Sequence, residues 1–216
     1  MKHKIAVSNF STSKATAAKK LYQENEEKLL RYADRLLWWN QRVNLISRNV
    51  SRETAAHHIR HSILISQVDS FQQANQVIDA GTGGGLPGIP LAVLFKEKDF
   101  TLNDIVEKKV MACKNIVRDL GLENVKTSSL SIEDVTVPAG SLIISKHAFK
   151  VNELYDLVKG RPWEQLILLK GSKEVEGELM GINEQLEITI FDLEKTFEVE
   201  FYQGKALVEI KRMDTK

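Results

Sequence analysis

The sequence predicts an α/β protein in which a mostly parallel sheet follows a helical extension and ends in an antiparallel hairpin. Three features support this fold class. Residues 1–70 show helical periodicity, segments after them alternate between strand-like and helix-like patterns, and the last two strand-like runs have no helix between them. Repeated βα units build parallel sheets with helices on both faces. We therefore divide the chain into a helical extension, residues 1–70, and a sheet domain, residues 71–216.

The helical extension begins with a polar segment, residues 1–13, for which we expect no regular structure. Apolar residues at helical spacing then predict one helix over about residues 14–40. This helix ends at the adjacent residues Trp38 and Trp39. Paired tryptophans usually cover a core, and stacking on nucleic-acid bases is the alternative.

A second helix is predicted over about residues 52–68, followed by a polar linker over residues 69–75. His57 and His61 share one face of this helix because they are four residues apart. No third ligand for a metal ion lies nearby in the sequence. The remaining interpretations are a polar rim that faces a cofactor or a phosphate, and ordinary surface histidines.

The sheet domain contains five predicted strands with three predicted helices between them. The strand-like segments are Gln76–Ala80, Phe100–Asp104, Val125–Ser128, Leu142–Ser145 and Gln165–Lys170. The helix-like segments are Ile89–Phe95, Lys108–Leu120 and Val151–Lys159. Two further runs, Ile188–Leu193 and Ala206–Arg212, predict a hairpin that adds antiparallel pairing at one edge.

The segment from Val77 to Leu91 is the most informative motif. An apolar strand reaches an acid, Asp79, passes through a glycine-rich turn and continues as a helix. Glycines stand at the alternate positions Gly81, Gly83 and Gly85. Glycine tolerates positive φ and has no Cβ, so the backbone can turn sharply and a ligand can lie against it. The pattern is typical of a nucleotide-cofactor loop.

The spacing of the glycines favours S-adenosylmethionine over a dinucleotide. A dinucleotide fingerprint needs G-x-G-x-x-G, whose third glycine allows close helix packing beside the pyrophosphate. Leu86 occupies that third position here. The observed G-x-G-x-G spacing is that of S-adenosylmethionine methyltransferases, whose cofactor carries no phosphate. Asp104 ends the second strand of the domain, where a carboxylate can accept hydrogen bonds from both ribose hydroxyls. A dehydrogenase is the distant alternative.

Composition and charge limit the function classes. The longest apolar runs fall short of the ~20 residues of a membrane helix, and the N-terminus lacks the apolar core of a signal peptide. The single Cys113 suits a reducing compartment. Residues 1–62 hold 12 Lys/Arg and five Asp/Glu, whereas residues 174–200 hold nine acids and one lysine. We expect the basic end to attract phosphate and the acidic segment to face away from it, with solvated helix faces as the alternative.

The chain resembles the small-subunit ribosomal RNA methyltransferase G family, also called GidB. The resemblance runs from the helical extension to the hairpin, and the Leu-Pro-Gly-Ile-Pro-Leu continuation of the glycine loop is its most specific part. The matching pieces are Trp39-Asn40 through Asn44-Leu45, His58-Ile59 with Ser62, Asp79 through Ala92, Asp104, Ile132-Glu133, Ile144-Ser145-Lys146 and Leu169-Lys170-Gly171.

The resemblance implies a class I methyltransferase fold. It also implies methyl transfer from S-adenosylmethionine to N7 of a guanine in the decoding region of 16S rRNA. Carried over residue by residue, it places cofactor contacts on Gly81, Leu86, Ile132 and Glu133, with Lys146 at a family arginine position. From the residues alone, Ile132 and Glu133 follow the third strand, which suits either contact with adenine or a surface loop.

Four residues depart from the family pattern. The family usually reads Ser-Arg-Ala-Phe where this chain has Lys146 followed by an extra residue, His147. Lysine is a point charge, so it does not replace the planar fork of arginine at a bidentate site. The Asp of the family's His-Ile-x-Asp-Ser is His61 here, and an arginine before the Ile-Glu pair is Ser131. These changes bear on the acceptor more than on the cofactor.

The residues are compatible with N7 methylation. Methylation of C5 of a pyrimidine needs a cysteine nucleophile, and Cys113 lies within a predicted helix. Methylation of an exocyclic amine commonly uses an Asn/Asp-Pro-Pro-aromatic loop, which is absent from the sequence. Guanine N7 is an unprotonated acceptor that requires no general base, so we assign no catalytic residue and no metal.

Substrate contacts are expected from side chains around the cofactor loop. Phe149 is the candidate ring for stacking on a base, with a core aromatic as the alternative. Lys146 and Lys170 are candidate phosphate contacts, and His58 and His61 are candidate rim residues. The expected partner is 16S rRNA or the small subunit, and we expect a monomer in the cytoplasm. The alternatives are another RNA or small-molecule acceptor, or a relative that binds cofactor and RNA without turnover.

Overall fold

The computed structural model describes residues 3–197 and 199–213. It contains one eight-stranded sheet with strand order β1-β7-β8-β6-β5-β2-β3-β4. The strands are β1 (Lys4–Asn9), β2 (Gln76–Ala80), β3 (Asp99–Asn103), β4 (Val125–Ser128), β5 (Ser141–Lys146), β6 (Trp163–Gly171), β7 (Leu186–Asp192) and β8 (Lys205–Arg212). The helices are α1 (Thr12–Glu24), α2 (Glu26–Asn40), α3 (Arg52–Ile63), α4 (Asp69–Gln73), α5 (Gly88–Leu94), α6 (Glu107–Asp119), α7 (Val151–Val158) and α8 (Val175–Glu178).

The sheet confirms the predicted α/β class with its mostly parallel pairing. The strands β4, β3, β2, β5 and β6 are parallel neighbours, and helices α5, α6 and α7 lie in the β2–β3, β3–β4 and β5–β6 connections. The strand β8 runs antiparallel between β6 and β7, so the predicted C-terminal hairpin is present. The carboxyl ends of β2, β3 and β5 meet at one edge, which is where open α/β sheets bind ligands.

The N-terminal segment corrects one expectation, because residues 4–9 form a strand. The strand β1 pairs in parallel with β7 at the sheet edge, and Lys4 Nζ lies 2.7 Å from Glu187 Oε1. All six residues of β1 are exposed. Backbone pairing rather than side-chain burial holds this strand, and its apolar residues Ile5 and Val7 face solvent. The predicted hairpin is therefore not the edge of the sheet.

The helix boundaries in the helical extension also differ from the predicted ones. The predicted helix over residues 14–40 is two helices, because the chain turns at Asn25 between α1 and α2. The second predicted helix ends at Ile63 and continues as a short 3₁₀ turn. The predicted linker over residues 69–75 contains the short helix α4. Apolar periodicity therefore located the long helices but not the break at Asn25 or the short helix α4.

Two apolar clusters fill the two faces of the sheet. The first joins α1–α3 to α5, α6 and the face of the sheet that carries Val77, Ile144 and Leu207. The second joins α7 and α8 to the opposite face, with Ile78, Ile143 and Val208. The helical extension thus shares a core with the sheet domain, and the division at residue 70 stays a prediction. Within the described residues, no helix has the length and apolar character needed to cross a bilayer.

Candidate cofactor and acceptor site

Asp79 anchors the glycine-rich loop from beneath. Its carboxylate is fully buried near the end of β2, and Oδ2 accepts hydrogen bonds from Thr82 Oγ1 at 2.6 Å and from the Gly88 N–H at 2.8 Å. Oδ1 is buried and has no hydrogen-bond partner within the described residues. Burial raises the pKa of Asp79 to about 7, against the opposing effect of its two hydrogen bonds. The free oxygen is a buried acceptor that can meet a donor on a ligand.

The glycine loop depends on residues without a Cβ. Gly81, Gly83 and Gly85 all have positive φ, at 71°, 55° and 96°. A Cβ built on Gly81 would lie 2.4 Å from Ala148 Cβ, so the segment after β5 packs directly on the loop. A Cβ on Gly88 would lie 2.7 Å from Asp79 Oδ2. These contacts explain in steric terms why the motif is glycine-rich.

Side chains from helices α2 and α6, outside the motif, donate hydrogen bonds to the glycine loop. Tyr32, which is fully buried in α2, donates its hydroxyl to the Gly84 carbonyl at 2.9 Å. Cys113 of α6 donates its thiol to the Gly83 carbonyl at 3.2 Å. Burial raises the pKa of the Cys113 thiol, which suits a structural role and not that of a nucleophile. The sequence places Tyr32 on an apolar stripe but gives no sign of its contact with the loop.

Asp104 closes the other side of the loop. Its Oδ2 accepts from the Gly83 N–H at 3.1 Å, its Oδ1 accepts from the Val106 N–H at 2.9 Å, and Lys109 Nζ lies 3.8 Å away. Carboxylate oxygens accept more than one hydrogen bond each, so capacity remains for ribose hydroxyls. Asp104 follows β3 at the carboxyl edge of the sheet and is nearly buried.

Asn103 connects the loop to the next strand, a role that sequence reasoning missed. Its carbonyl accepts from the Thr82 N–H at 2.8 Å, and its side-chain amide donates to the Leu130 carbonyl at 2.8 Å. This amide positions the segment that carries the predicted cofactor contacts Ile132 and Glu133. Ile132 is buried in the second apolar cluster, whereas Glu133 is exposed. The sequence feature that could have indicated this role of Asn103 is its position as a polar residue directly before Asp104.

Lys146 and Lys205 place positive charge at the carboxyl edge of the sheet. Asp79 pairs in register with Ile144, so Lys146, two residues further along β5, lies on the same face. Lys205 begins β8 opposite Gly171. Burial, together with the Lys205 ammonium, lowers the pKa of Lys146 to about 8. Sequence reasoning missed Lys205, because only the β6–β8 pairing brings it to this edge.

Three histidines, His58, His61 and His147, lie beside these lysines. We call this part of the site, formed by His58, His61, Lys146–Phe149 and Lys205, the rim. His61 is completely buried, and neither ring nitrogen has a hydrogen-bond partner within the described residues. Its ring centroid lies 6.3 Å from that of His147, which has a φ of 54°. Burial and the Lys146 charge lower the pKa of His58 to about 3 and hold the pKa of His61 well below its usual value. The rings of His58 and His61 are therefore neutral near pH 7.

Phe149 lies beside the glycine loop, whereas Lys170 is turned into the protein. Phe149 is half-buried, and its ring edge lies 3.0 Å from a Cβ built on Gly81. Lys170 is nearly buried, with Nζ 2.9 Å from Glu178 Oε2 and 2.7 Å from the Phe149 carbonyl oxygen. The expectation that Lys170 contacts phosphate is corrected, because its ammonium is already paired inside the protein. Its role is to hold the segment that carries Phe149.

The comparisons with known proteins agree with this site. The family model "GidB: rRNA small subunit methyltransferase G" matches residues 25–203. The chain belongs to the GidB family. A ribosomal RNA small subunit methyltransferase G of Chlorobaculum tepidum is 37% identical over 77% of this chain and 74% of that protein. Another, of Bacteroides thetaiotaomicron, is 33% identical over 87% of this chain and 93% of that protein. The resemblance inferred from the sequence is confirmed.

Solved structures show the fold independently. A protein described as an O-methyltransferase from Klebsiella pneumoniae has a TM-score of 0.57 at 18% identity and covers 85% of this chain and 90% of its own. One described as an rRNA methylase from Clostridium thermocellum has a TM-score of 0.50 at 14% identity and covers 66% and 88%. At these identities the likeness shows the methyltransferase fold alone.

The GidB-family chain is a methyltransferase that uses S-adenosylmethionine. The floor of the site, from Asp79 to Asp104, fits this cofactor. The unpartnered Asp79 Oδ1 can accept from the ammonium group of the cofactor, and Asp104 is placed for ribose hydroxyls. Each individual contact stays a prediction. The described residues contain no cluster of three or more His, Cys, Asp or Glu suited to a metal ion.

Proposed function

We propose that this chain transfers a methyl group from S-adenosylmethionine to N7 of a guanine in 16S rRNA, within the small ribosomal subunit or its precursor. The match of the family model over residues 25–203 is the observation that carries this proposal. The relatives from Chlorobaculum tepidum and Bacteroides thetaiotaomicron have names that specify small-subunit ribosomal RNA. Such an enzyme would work in the cytoplasm, where bacterial subunits assemble.

The geometry supports a reaction that needs alignment and no proton transfer. Guanine N7 is an unprotonated acceptor, so no side chain has to remove a proton from it. S-adenosylmethionine supplies the activated methyl group. The floor would hold the cofactor by its two ends, and the rim would hold the base. Alignment of this kind can supply up to about 7–11 kcal/mol.

The charges at the rim fit a nucleic-acid acceptor. Lys146 and Lys205 are not within 4 Å of an acidic side chain in the described part of the chain, and both can meet phosphate. The neutral ring of the half-buried His58 can hydrogen-bond to a base edge without repelling these ammonium groups. Phe149, beside Gly81, is placed to contact the base that approaches the cofactor.

A second candidate is methylation of another RNA or of a small molecule. The rim favours it, since Lys146 replaces an arginine of the family pattern and His147, with its left-handed backbone, enlarges the segment after β5. A relative that binds the cofactor without turnover is the third possibility.

Mass mapping of 16S rRNA from a deletion strain separates these candidates. The proposal expects one guanine to lose its N7 methyl group and to regain it when the gene is restored. An unchanged N7-methylguanine pattern would contradict the proposal but would not contradict the cofactor assignment. Calorimetry with S-adenosylhomocysteine and with NAD tests that assignment separately, because binding of NAD alone would overturn it.

A further inference from the structure

The loop after α2, residues 41–50, forms an exposed surface beside the glycine loop. Asn40 shapes this loop: its Oδ1 accepts from the Leu45 and Ile46 N–H groups, both at 2.9 Å, and its Nδ2 donates to the Ser47 carbonyl at 3.2 Å. The Leu45 carbonyl oxygen lies 3.0 Å from a Cβ built on Gly83. The loop therefore rests directly on the cofactor floor.

A preformed aromatic and guanidinium stack lies at the start of this surface. Trp38 is 40% exposed, and the Arg42 guanidinium carbon lies 3.6 Å from the centroid of its ring. Arg42 Nη1 also donates to the Trp38 carbonyl at 2.8 Å. The plane of Arg42 is thus fixed before any ligand binds. Trp39, in contrast, packs against the core, so the two adjacent tryptophans have different environments.

The surface is positive and rich in amides. Residues 38–52 contain no Asp or Glu. Arg42 and Arg48 are exposed, and within the described residues neither lies within 4 Å of a carboxylate, whereas Arg52 is paired with Asp34. A groove of about 500 Å³ is lined by Asn40, Gln41, Asn44, Arg48 and Asn49, together with Leu37 and Val50. Its volume lies in the range of sites that hold small ligands, ~300–1,000 Å³.

We propose that this surface, Trp38 with residues 41–50, binds unstacked nucleotides of the substrate RNA that flank the methylated guanine. The proposal rests on the proposed function. A base would stack on the exposed plane of Arg42, Arg48 would contact a phosphate, and the amides of Gln41, Asn44 and Asn49 would meet base edges or 2′-hydroxyls. Stacking on aromatic rings or guanidinium planes, combined with cationic and amide contacts, is how proteins hold single-stranded RNA.

Position on the molecule supports this occupant over a protein. The surface adjoins the floor through Leu45. Nucleotides next to a guanine held at the cofactor would therefore lie close to this surface. Exposed amides and arginines outnumber exposed apolar residues on the loop, whereas the buried centre of a protein interface is depleted of charge. The positive charge without neighbouring acids is complementary to a phosphodiester chain.

The test measures binding of 16S rRNA and of undermethylated small subunits at several salt concentrations. Trp38→Leu with Arg42→Gln removes the stack, and Arg48→Gln removes the phosphate contact. We expect the first pair to weaken binding of both RNA forms about tenfold. Arg48→Gln should also reduce the slope of log affinity against log salt by about one. Trp38→Phe should restore near-normal binding, because it keeps an aromatic support for Arg42.

The controls separate this inference from loss of folding and from the proposed function. Lys126→Gln removes an exposed charge on β4 and should change RNA binding less than twofold. The affinity for S-adenosylhomocysteine should be unchanged in every variant. Normal RNA binding by the Trp38 and Arg48 variants would overturn the inference alone. Loss of binding to small subunits but not to naked rRNA would also overturn it, because the surface would then contact a protein. A wild-type chain that binds neither 16S rRNA nor undermethylated small subunits would overturn both proposals.

Discussion

The floor and the rim of the site differ in how completely the protein pairs their polar groups. The floor, from Asp79 to Asp104, is packed and hydrogen-bonded almost throughout, with Tyr32, Cys113 and Asn103 each donating to or supporting a backbone group. The rim, formed by His58, His61, Lys146–Phe149 and Lys205, contains buried ring nitrogens of His58 and His61 that have no hydrogen-bond partner within the described residues. A floor completed by the protein itself suits a fixed cofactor. An incomplete rim suits a ligand that supplies the missing partners.

The largest expected effect comes from adding a Cβ to the floor. Gly81→Ala places a methyl group 2.4 Å from Ala148 Cβ and forces alanine into a φ of 71°. Overpacking costs ~1–3 kcal/mol and the left-handed backbone ~1–2 kcal/mol. We expect a loss of about 3 kcal/mol in the free energy of unfolding, measured by denaturant titration, and a large loss of cofactor affinity.

Gly121→Ala is the matched control for this change. Gly121 also has a positive φ, 62°, but an added Cβ would meet nothing within 4 Å. Only the backbone term applies, so the loss should be about 1 kcal/mol with normal cofactor affinity. Equal effects of the two substitutions would show that the contact between the loop and the segment after β5 is not important.

The next effect tests Asp104 as a cofactor ligand. Asp104→Ala should weaken binding of S-adenosylhomocysteine at least tenfold in calorimetry, equivalent to about 1.4 kcal/mol. The substitution removes the acceptor for ribose and also the one for the Gly83 N–H. Asp134→Ala, at an exposed carboxylate in a neighbouring loop, is the control. Unchanged affinity in the Asp104 variant would contradict the assignment.

His61→Phe separates stability from function at the rim. The substitution removes two buried nitrogens that have no partners within the described residues, so the free energy of unfolding should rise by about 1 kcal/mol. This corresponds to ~2–4 °C in Tm for a chain of this size. RNA affinity should be unchanged, because the buried ring has no surface that RNA can reach. His57→Phe, at a ring that already stacks on Phe201, should change neither quantity. A His61 variant with weaker RNA binding and unchanged stability would contradict this assignment.

The smallest effect is a pH dependence set by Lys146. Because its folded-state pKa is lowered to about 8 from 10.5, RNA affinity should fall about threefold as pH rises from about 7 to 9. Over the window from about pH 8 to 10.5 the unfolded chain binds more protons at this site, so the contribution of Lys146 to stability increases with pH. The two trends have opposite signs. Lys146→Arg should make the affinity flat over this range, and Lys126→Arg should leave the wild-type profile unchanged.

The sequence carried more information about the floor than about the rim. The floor needs residue types that few alternatives can replace: an acid at a strand end, glycines at positive φ, and Asp104 one strand later. These requirements are local and leave a readable spacing. The strand β1 was missed because its pairing with β7 involves distant backbone groups and buries no side chain.

The rim depends on pairings between distant segments. The sequence made Lys170 a candidate phosphate contact, but the fold places Glu178 2.9 Å from its ammonium group. Lys205 went unnoticed because its proximity to Lys146 exists only through the sheet. His61 was expected at the rim, but its complete burial follows from the packing of Phe201 and Tyr202 against it. The burial and the charged neighbours of such residues depend on the fold, so they cannot be predicted from local sequence spacing.

The central claim is that the floor delivers a methyl group to a guanine N7 held by the rim. The most direct test incubates the purified chain with isotopically labelled S-adenosylmethionine and undermethylated small subunits, then identifies the labelled nucleoside by mass spectrometry. The account predicts label in 7-methylguanosine of 16S rRNA, at a single position, and a large loss of label with Gly81→Ala. Label in a different nucleoside, or no label from a chain that binds S-adenosylhomocysteine in calorimetry, would contradict it.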